Sequence, residues 1–114
     1  MDNSSLQIEF ETIGTSIVIS LIGDIDLSKS TELRSAIRPI LDSKPSKIII
    51  DLQHVPYMDS SAIATLIEGL QLSKLSDIEL VLCSLSEGVR SIIELARLDQ
   101  IFTIFDSREH ALGE

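Results

Sequence analysis

Aromatic residues are scarce in this chain: three phenylalanines, one tyrosine and no tryptophan, 4% of 114 residues. That leaves little material for an aromatic-lined binding pocket. Because hydrophobic residues still make up 44%, the core has to be assembled from Ile, Leu and Val in layers of sheet and helix, and disorder is excluded on composition. Cys83 is the single cysteine, so no intrachain disulfide can form. Its place after Val81 and Leu82 marks it as a small buried hydrophobe. With five glycines and neither Gly-x-Gly-x-x-Gly nor Gly-x-x-x-x-Gly-Lys-Ser/Thr, the chain has no loop built to wrap a nucleotide phosphate. Basic residues number 9 against 18 acidic ones, a formal charge of -9. Nucleic-acid backbones and anionic membrane surfaces are bound by Lys and Arg, so both are disfavoured as partners. A basic protein surface or a metal ion is the complementary partner, although acidity also serves plain solubility. No apolar run approaches the roughly 20 residues needed to span a bilayer. Met1 to Ser5 have neither the basic region nor the apolar stretch of a secretory signal, which points to a cytoplasmic protein.

The length suits one domain, taken as residues 1–114, large enough to bury roughly two-thirds of its unfolded surface. Leu6, Ile8 and Phe10 alternate with Gln7, Glu9 and Glu11, the pattern of a half-exposed strand. Gly14 marks a turn, and Ile17 to Ile22 form a second, more buried strand ending at Gly23, so the two read as an antiparallel hairpin with the first strand at the sheet edge. Leu33, Ala36, Ile37, Ile40 and Leu41 give a helical stripe, capped by Ser28 or Ser30 and bent or broken in its last turn by Pro39. The run Ile48-Ile49-Ile50 suits a strand covered on both faces, with Asp51 to Tyr57 as a connection. A second helix starts near Asp59 and Ser60, with Ile63, Leu66, Ile67 and Leu70 on one face. Ile78 to Leu82 is a strand. Ser84 and Glu87 have the spacing of a capping box before Val89, Ile92, Ile93 and Ala96. Ile101 to Ile104 reads as a last short strand and Asp106 to Glu109 as the start of a short helix. Strands alternating with amphipathic helices imply an α/β domain with a mixed, mostly parallel sheet, an N-terminal β-hairpin and about four helices.

Chemistry is harder to find. His54 and His110 are the only histidines, and neither has a second His, Cys or carboxylate at metal-ligand spacing. Ser60, His54 and Asp59 could be assembled as a hydrolytic triad, but Ser60 does not lie in a Gly-x-Ser-x-Gly elbow, so a small serine hydrolase is the least favoured reading. Two segments draw attention because each leaves the carboxyl edge of a buried strand, where function collects in open α/β sheets. In Gly23-Asp24-Ile25-Asp26, glycine permits a turn and two carboxylates follow, which either meet a partner or serve the turn and the next helix start. In Tyr57-Met58-Asp59-Ser60-Ser61-Ala62, Asp59 is a good N-cap, Ser60 and Ser61 fall in the first turn, and Met58 could staple the helix entry.

Together, in this element order and length, the segments resemble the STAS domains of the anti-sigma-factor-antagonist type. That pattern is a Gly-acidic-apolar-Asp loop after the second strand, then an apolar strand ending Asp-Leu, here Ile48-Ile49-Ile50-Asp51-Leu52. A Met-Asp-Ser-Ser/Thr-Gly helix opening follows, here Met58-Asp59-Ser60-Ser61-Ala62. Ala62 departs from the family, which has Gly there. The resemblance implies a non-enzymatic, cofactor-free switch. The unphosphorylated antagonist binds an anti-sigma factor that is also a serine kinase of the histidine-kinase-like ATPase type, and so releases a sigma factor. Phosphorylation of the serine after Asp breaks the complex, and a PP2C-type phosphatase restores it. By position the phosphoacceptor is Ser60, with Asp24, Asp26, Met58, Asp59, Ser61 and Ala62 at the partner surface. A STAS scaffold or subunit in another system, stressosome-like or lipid-transporting, is the alternative. A phosphate on Ser60 would sit at a helix start, where free N–H groups and the positive end of the dipole receive anions.

Overall fold

Two strands of opposite character open the fold, and the structure, a computed structural model, describes them and the rest of residues 6–113; the N-terminal pentapeptide lies outside the described residues. β1 (Gln7–Ile13) runs antiparallel to β2 (Ser16–Ile22) and forms the sheet edge. An edge strand has a neighbour on one side only, so its alternation is only partly realised: Leu6, just before it, is buried, Ile8 is half-buried and Phe10 stays 54% exposed. β2, β3 (Lys47–His54), β4 (Glu79–Cys83) and β5 (Thr103–Phe105) follow in parallel, in the spatial order β1-β2-β3-β4-β5. This is the mixed, mostly parallel sheet that the element order implied.

Register sorts the strand residues onto two faces. Ile19, Ile50, Leu82 and Ile104 lie in one cross-strand row, and Val18, Ile49 and Val81 in the next. The first row joins the main core with α1 (Leu27–Asp42), α2 (Ser60–Leu75) and α3 (Glu87–Leu95). The second packs with Cys83 and with Ala111 of α4 (Arg108–Ala111). Ile48, Ile49 and Ile50 are all fully buried, as a strand covered on both faces requires. β3 runs on to His54 instead of ending at Ile50, so Asp51 is a strand residue and not part of a connection. It can be one because its carboxylate has partners: Oδ1 accepts from the Gln53 N–H at 3.0 Å, and Oδ2 lies 3.4 Å from an Arg108 Nη. A register shift opposite Leu21 then brings Ile22 beside His54.

The helices differ from the sequence expectations in ways that have physical causes. α1 buries Leu33, Ile37, Ile40 and Leu41, and runs through Pro39 to Asp42 without breaking. Pro39 sits on the exposed side and forfeits one backbone bond, while burial of Ile40 and Leu41 holds the last turn in place. The inward face of α2 is Ala62, Thr65, Leu66, Gly69, Leu70 and Ser73, rotated from the expected stripe, so that Ile63 and Ile67 lie half-buried at its border. The Thr65 and Ser73 hydroxyls can go inside because they donate to the carbonyls of Ser61 and Gly69. α3 is capped by Ser86, not Ser84, because Ser84 has φ 59° and a cap needs extended backbone. A 3-10 turn at Leu98–Gln100 takes up the chain after α3, so the last strand is Thr103–Phe105, leaving Ile101 outside it and 52% exposed. Ser107, not Asp106, caps α4.

Candidate functional site

β2 and β3 end side by side, and the loops that leave them stay joined. Gly23, with φ 99°, turns the chain so that its N–H donates to the His54 carbonyl at 2.9 Å. Ile25 and Met58 then form an isolated parallel bridge: the Ile25 N–H donates to the Tyr57 carbonyl at 3.0 Å, and the Asp59 N–H to the Ile25 carbonyl at 3.1 Å. The side chains of Ile25 and Met58 are fully buried, whereas Asp24, Asp26 and Tyr57 are exposed. One residue further along each strand-like segment the chain enters a helix. The starts of α1 and α2 therefore lie next to each other at the carboxyl edge of the sheet.

Each start is capped by an aspartate. Asp26, with extended backbone, accepts from the Lys29 N–H at 3.2 Å and from the Ser28 hydroxyl at 2.8 Å. The cap of α1 is thus Asp26, and Ser28 supports it instead of capping; the Ser30 hydroxyl turns back to the Leu27 carbonyl. The Ser28 hydroxyl and the Lys29 N–H hold the Asp26 carboxyl below its ordinary value. Asp59 accepts from the N–H groups of Ser61 and Ala62 at 3.0 and 3.2 Å and from the Ser61 hydroxyl at 2.5 Å. The bond from Ser61, with those two N–H groups, likewise depresses the Asp59 carboxyl, although the nearby Asp26 charge opposes the shift. Two ionised carboxylates therefore share one small surface.

The two serines of the α2 opening have different fates. The Ser61 hydroxyl is committed to Asp59 and the residue is half-buried. Ser60, the first helical residue, is exposed, and its hydroxyl makes no hydrogen bond among the described residues. Ala62 is fully buried. The methyl that distinguishes it from the family glycine therefore points into the core, and neither it nor Met58 offers side-chain surface to a partner. What Met58 and Ala62 give the site is its position. Leu27 and Tyr57, 70% and 50% exposed, are large apolar residues on the same two loops. Tyr57 was legible beforehand as a bulky residue beside a helix cap; Leu27 was not, since its exposure follows from the cap standing at Asp26.

The helix start is also less open to an anion than the sequence implied. The N–H groups of Ser61 and Ala62 already face the Asp59 carboxylate, so a phosphate on Ser60 would meet Asp59 and Asp26 instead of a row of free donors. Other groups stand apart from the site. His54 ends β3 exposed, and no bond links it to Ser60, so the triad considered above is not assembled. Burial pushes the Cys83 thiol up to about 11, which leaves it protonated and inert. A concavity of about 530 Å³ lies on the α4 side of the sheet, bordered by Glu9, Ser20, Asp51 and Arg108, and no residue of the Ser60 loop lines it. Among the described residues no group of three or more His, Cys, Asp or Glu is placed to hold a metal ion. No described helix is long and apolar enough to cross a membrane.

A model of the STAS domain matches residues 7–111. The chain belongs to the STAS domain family. Among curated relatives, the anti-sigma F factor antagonist of Paenibacillus polymyxa is 24% identical over 111 residues, covering 96% of this chain and 95% of its own. An anti-sigma factor antagonist from Mycobacterium paratuberculosis superposes with a TM-score of 0.87 at 24% identity, over 95% of this chain and 92% of the other. The Bacillus cell fate determinant SpoIIAA in its phosphorylated form superposes with a TM-score of 0.73 at 19% identity, over 94% and 97% of the two chains. These likenesses establish the STAS fold over nearly the whole length.

Proposed function

We propose that this STAS domain is an anti-sigma factor antagonist: a non-enzymatic binding module whose hold on an anti-sigma factor is released by phosphorylation of Ser60. The observation that carries the reading is the contrast between the two serines, one hydroxyl exposed and uncommitted, the other tied to Asp59. A kinase needs the first kind. The relatives named as anti-sigma factor antagonists along most of their length support the partner class. The partner is then an anti-sigma factor with serine kinase activity of the histidine-kinase-like ATPase type, and a PP2C-type phosphatase resets the switch. Asp24, Asp26, Asp59 and Ser61 form the polar part of the docking surface around Ser60, with Tyr57 and Leu27 beside them. Phosphorylation adds about -1.5 to -2 charges to a surface that already carries two ionised caps. A partner bound there has to bury that charge or leave, and leaving avoids a desolvation penalty of several kcal/mol.

The test is to incubate the protein with ATP and such a kinase, measure intact mass, and map the phosphopeptide. One phosphate on Ser60 is the expected result, and Ser61 as principal site would overturn the assignment. In parallel, calorimetric titration should show Ser60→Ala binding like wild type, and Ser60→Asp folded but weakened at least tenfold. Wild-type affinity in a folded Ser60→Asp variant would remove Ser60 from the interface.

A further inference from the structure

The loop that delivers Ser60 is seated on the first turn of α3. Ser86, the N-cap of α3, uses its hydroxyl twice: it accepts from the Val89 N–H at 3.2 Å and donates to the Val55 carbonyl at 2.6 Å. Two residues later Gly88 lies so close to the loop that a Cβ there would stand 2.4 Å from the Pro56 carbonyl oxygen. Gly88 has an ordinary helical backbone, so no left-handed conformation calls for glycine. Alanine is the better helix former at such a position. What excludes it is the approach of the Pro56 backbone, and a backbone carbonyl cannot swing aside as the end of a side chain can. Val55 itself is fully buried, so the loop is fixed at Val55 and Pro56 and emerges at Tyr57.

We infer that Ser86 and Gly88 are positioning residues for the Ser60 site: α3 sets the path of Val55 and Pro56, and through it the presentation of Tyr57, Asp59 and Ser60. The inference rests on the reading of Ser60 as phosphoacceptor. It adds a second element, α3, which carries none of the docking residues yet determines where they stand. Relieving the contact that Gly88→Ala creates requires a displacement of about 1 Å, and a misplacement of that size can cost about 100-fold in a positioned transfer reaction.

The experiment uses the full chain as wild type, Gly88→Ala, Ser86→Ala and Ser86→Thr. The first measurement needs no partner: amide resonances and hydrogen exchange at Tyr57, Ser60 and Ser61, with thermal melting as the folding control. The second is kcat and KM for phosphate transfer from ATP to Ser60 by an anti-sigma kinase of the histidine-kinase-like ATPase class. Gly88→Ala is expected to shift the Tyr57–Ser61 amides and to lower kcat/KM by about 10- to 100-fold. Ser86→Ala is expected to act in the same direction more weakly, and Ser86→Thr, which keeps a hydroxyl, to restore wild-type values. If Gly88→Ala fails to fold, the Ser86 pair decides. Amides at Tyr57–Ser61 that superimpose on wild type in the folded variants overturn the inference whatever the kinase does. So does a shifted loop with unchanged transfer kinetics. Absence of phosphate on Ser60 in the wild type instead overturns the phosphoacceptor reading, and the inference with it.

Discussion

Replacing Arg108 by methionine should destabilise the domain by about 2 kcal/mol while leaving the Ser60 site untouched. Arg108 opens the four-residue α4 and reaches across the second face of the sheet, where one Nη lies 3.0 Å from the Ser20 hydroxyl and 3.4 Å from Asp51 Oδ2, and the other 2.8 Å from Glu11. The Glu11 carboxylate is exposed, and a surface pair of that kind contributes about 0–1 kcal/mol. Asp51 is different: its side chain is 8% exposed, and without Arg108 it retains the Gln53 N–H alone. Breaking a fully buried pair costs about 3–5 kcal/mol. Here the guanidinium is one-third exposed and the contact is long, so water can partly replace it and the loss falls below that range, to about 2 kcal/mol. A domain of this size shifts its melting temperature by roughly 4 °C per kcal/mol, giving a fall of roughly 8 °C. Urea denaturation should report the same loss as a lower midpoint at unchanged slope. Asp51→Asn removes the charge that needs a partner, so the double variant should be more stable than the sum of the two single effects implies. A fall below about 0.5 kcal/mol for Arg108→Met, or strict additivity with Asp51→Asn, would refute the reasoning. Phosphorylation of Ser60 serves as the internal control, since α4 packs on the sheet face away from α2.

Acid should act on the two caps in a defined direction. Asp26 and Asp59 have folded-state pKa values below their ordinary one, so their contribution is present above the unfolded value of about 3.9 and is lost as pH falls through the lowered folded values. Asparagine caps a helix without ionising, so Asp26→Asn and Asp59→Asn should fold normally at pH 7 and flatten the stability profile below pH ~4, measured by urea midpoints; an unchanged acid limb in both would refute the capping assignment. In the phosphorylated protein the same carboxylates should oppose the phosphate dianion and raise its second pKa above its usual value of about 6. Phosphorus-31 NMR titration checks this, and Asp59→Asn should bring the value back toward 6; a value below 6 in wild type would mean that donors, not carboxylates, dominate the site.

Strand and helix order, the edge hairpin and the doubly covered β3 were legible because burial on both faces or one imposes a period that the residues carry on their own. Asp59 was read as the cap of α2, and Asp26 stood as one reading for the start of α1; the remaining caps were read less well, and for a common reason. Ser28, Ser84 and Asp106 each stand at a plausible offset, but a cap also needs extended backbone and a loop that delivers it. Those requirements select Asp26, Ser86 and Ser107, which depend on contacts far away in sequence. Asp51 looked like a loop residue because a carboxylate inside a sheet is costly, and its partner Arg108 lies 57 residues downstream. The segment of Asp24 and Asp26 lies beside that of Asp59, Ser60 and Ser61. Met58 turns inward, in line with the reading of it as a staple of the helix entry and not with its placement at the partner surface, and Ala62 turns inward with it. For Met58 this follows from the Ile25–Met58 bridge, and for Ala62 from its place on the inward face of α2 with Thr65, Leu66 and Gly69. The α3 clamp was illegible, since nothing at Gly88 announces a carbonyl that arrives from Pro56.

The occupied caps also bear on how the switch would work. At an uncapped helix start a phosphate would gather the free N–H groups, bind its own helix and rigidify the loop, and the signal would be a local rearrangement. Here Asp59 already holds the N–H groups of Ser61 and Ala62, and Asp26 stands near enough for its charge to be felt. A phosphate on Ser60 gains little from its own domain. The extra charge then remains unneutralised at the surface, where a docking partner is the first body to feel it. Fixed geometry favours that division of labour. The β2 and β3 loops are stitched together at Ile25 and Met58, and the β3–α2 loop is held at Val55 and Pro56, so the modification has no easy internal motion to drive. The energy of adding charge is directed instead at whatever is bound, which is the property required of a domain that keeps one fold and changes only its choice of company.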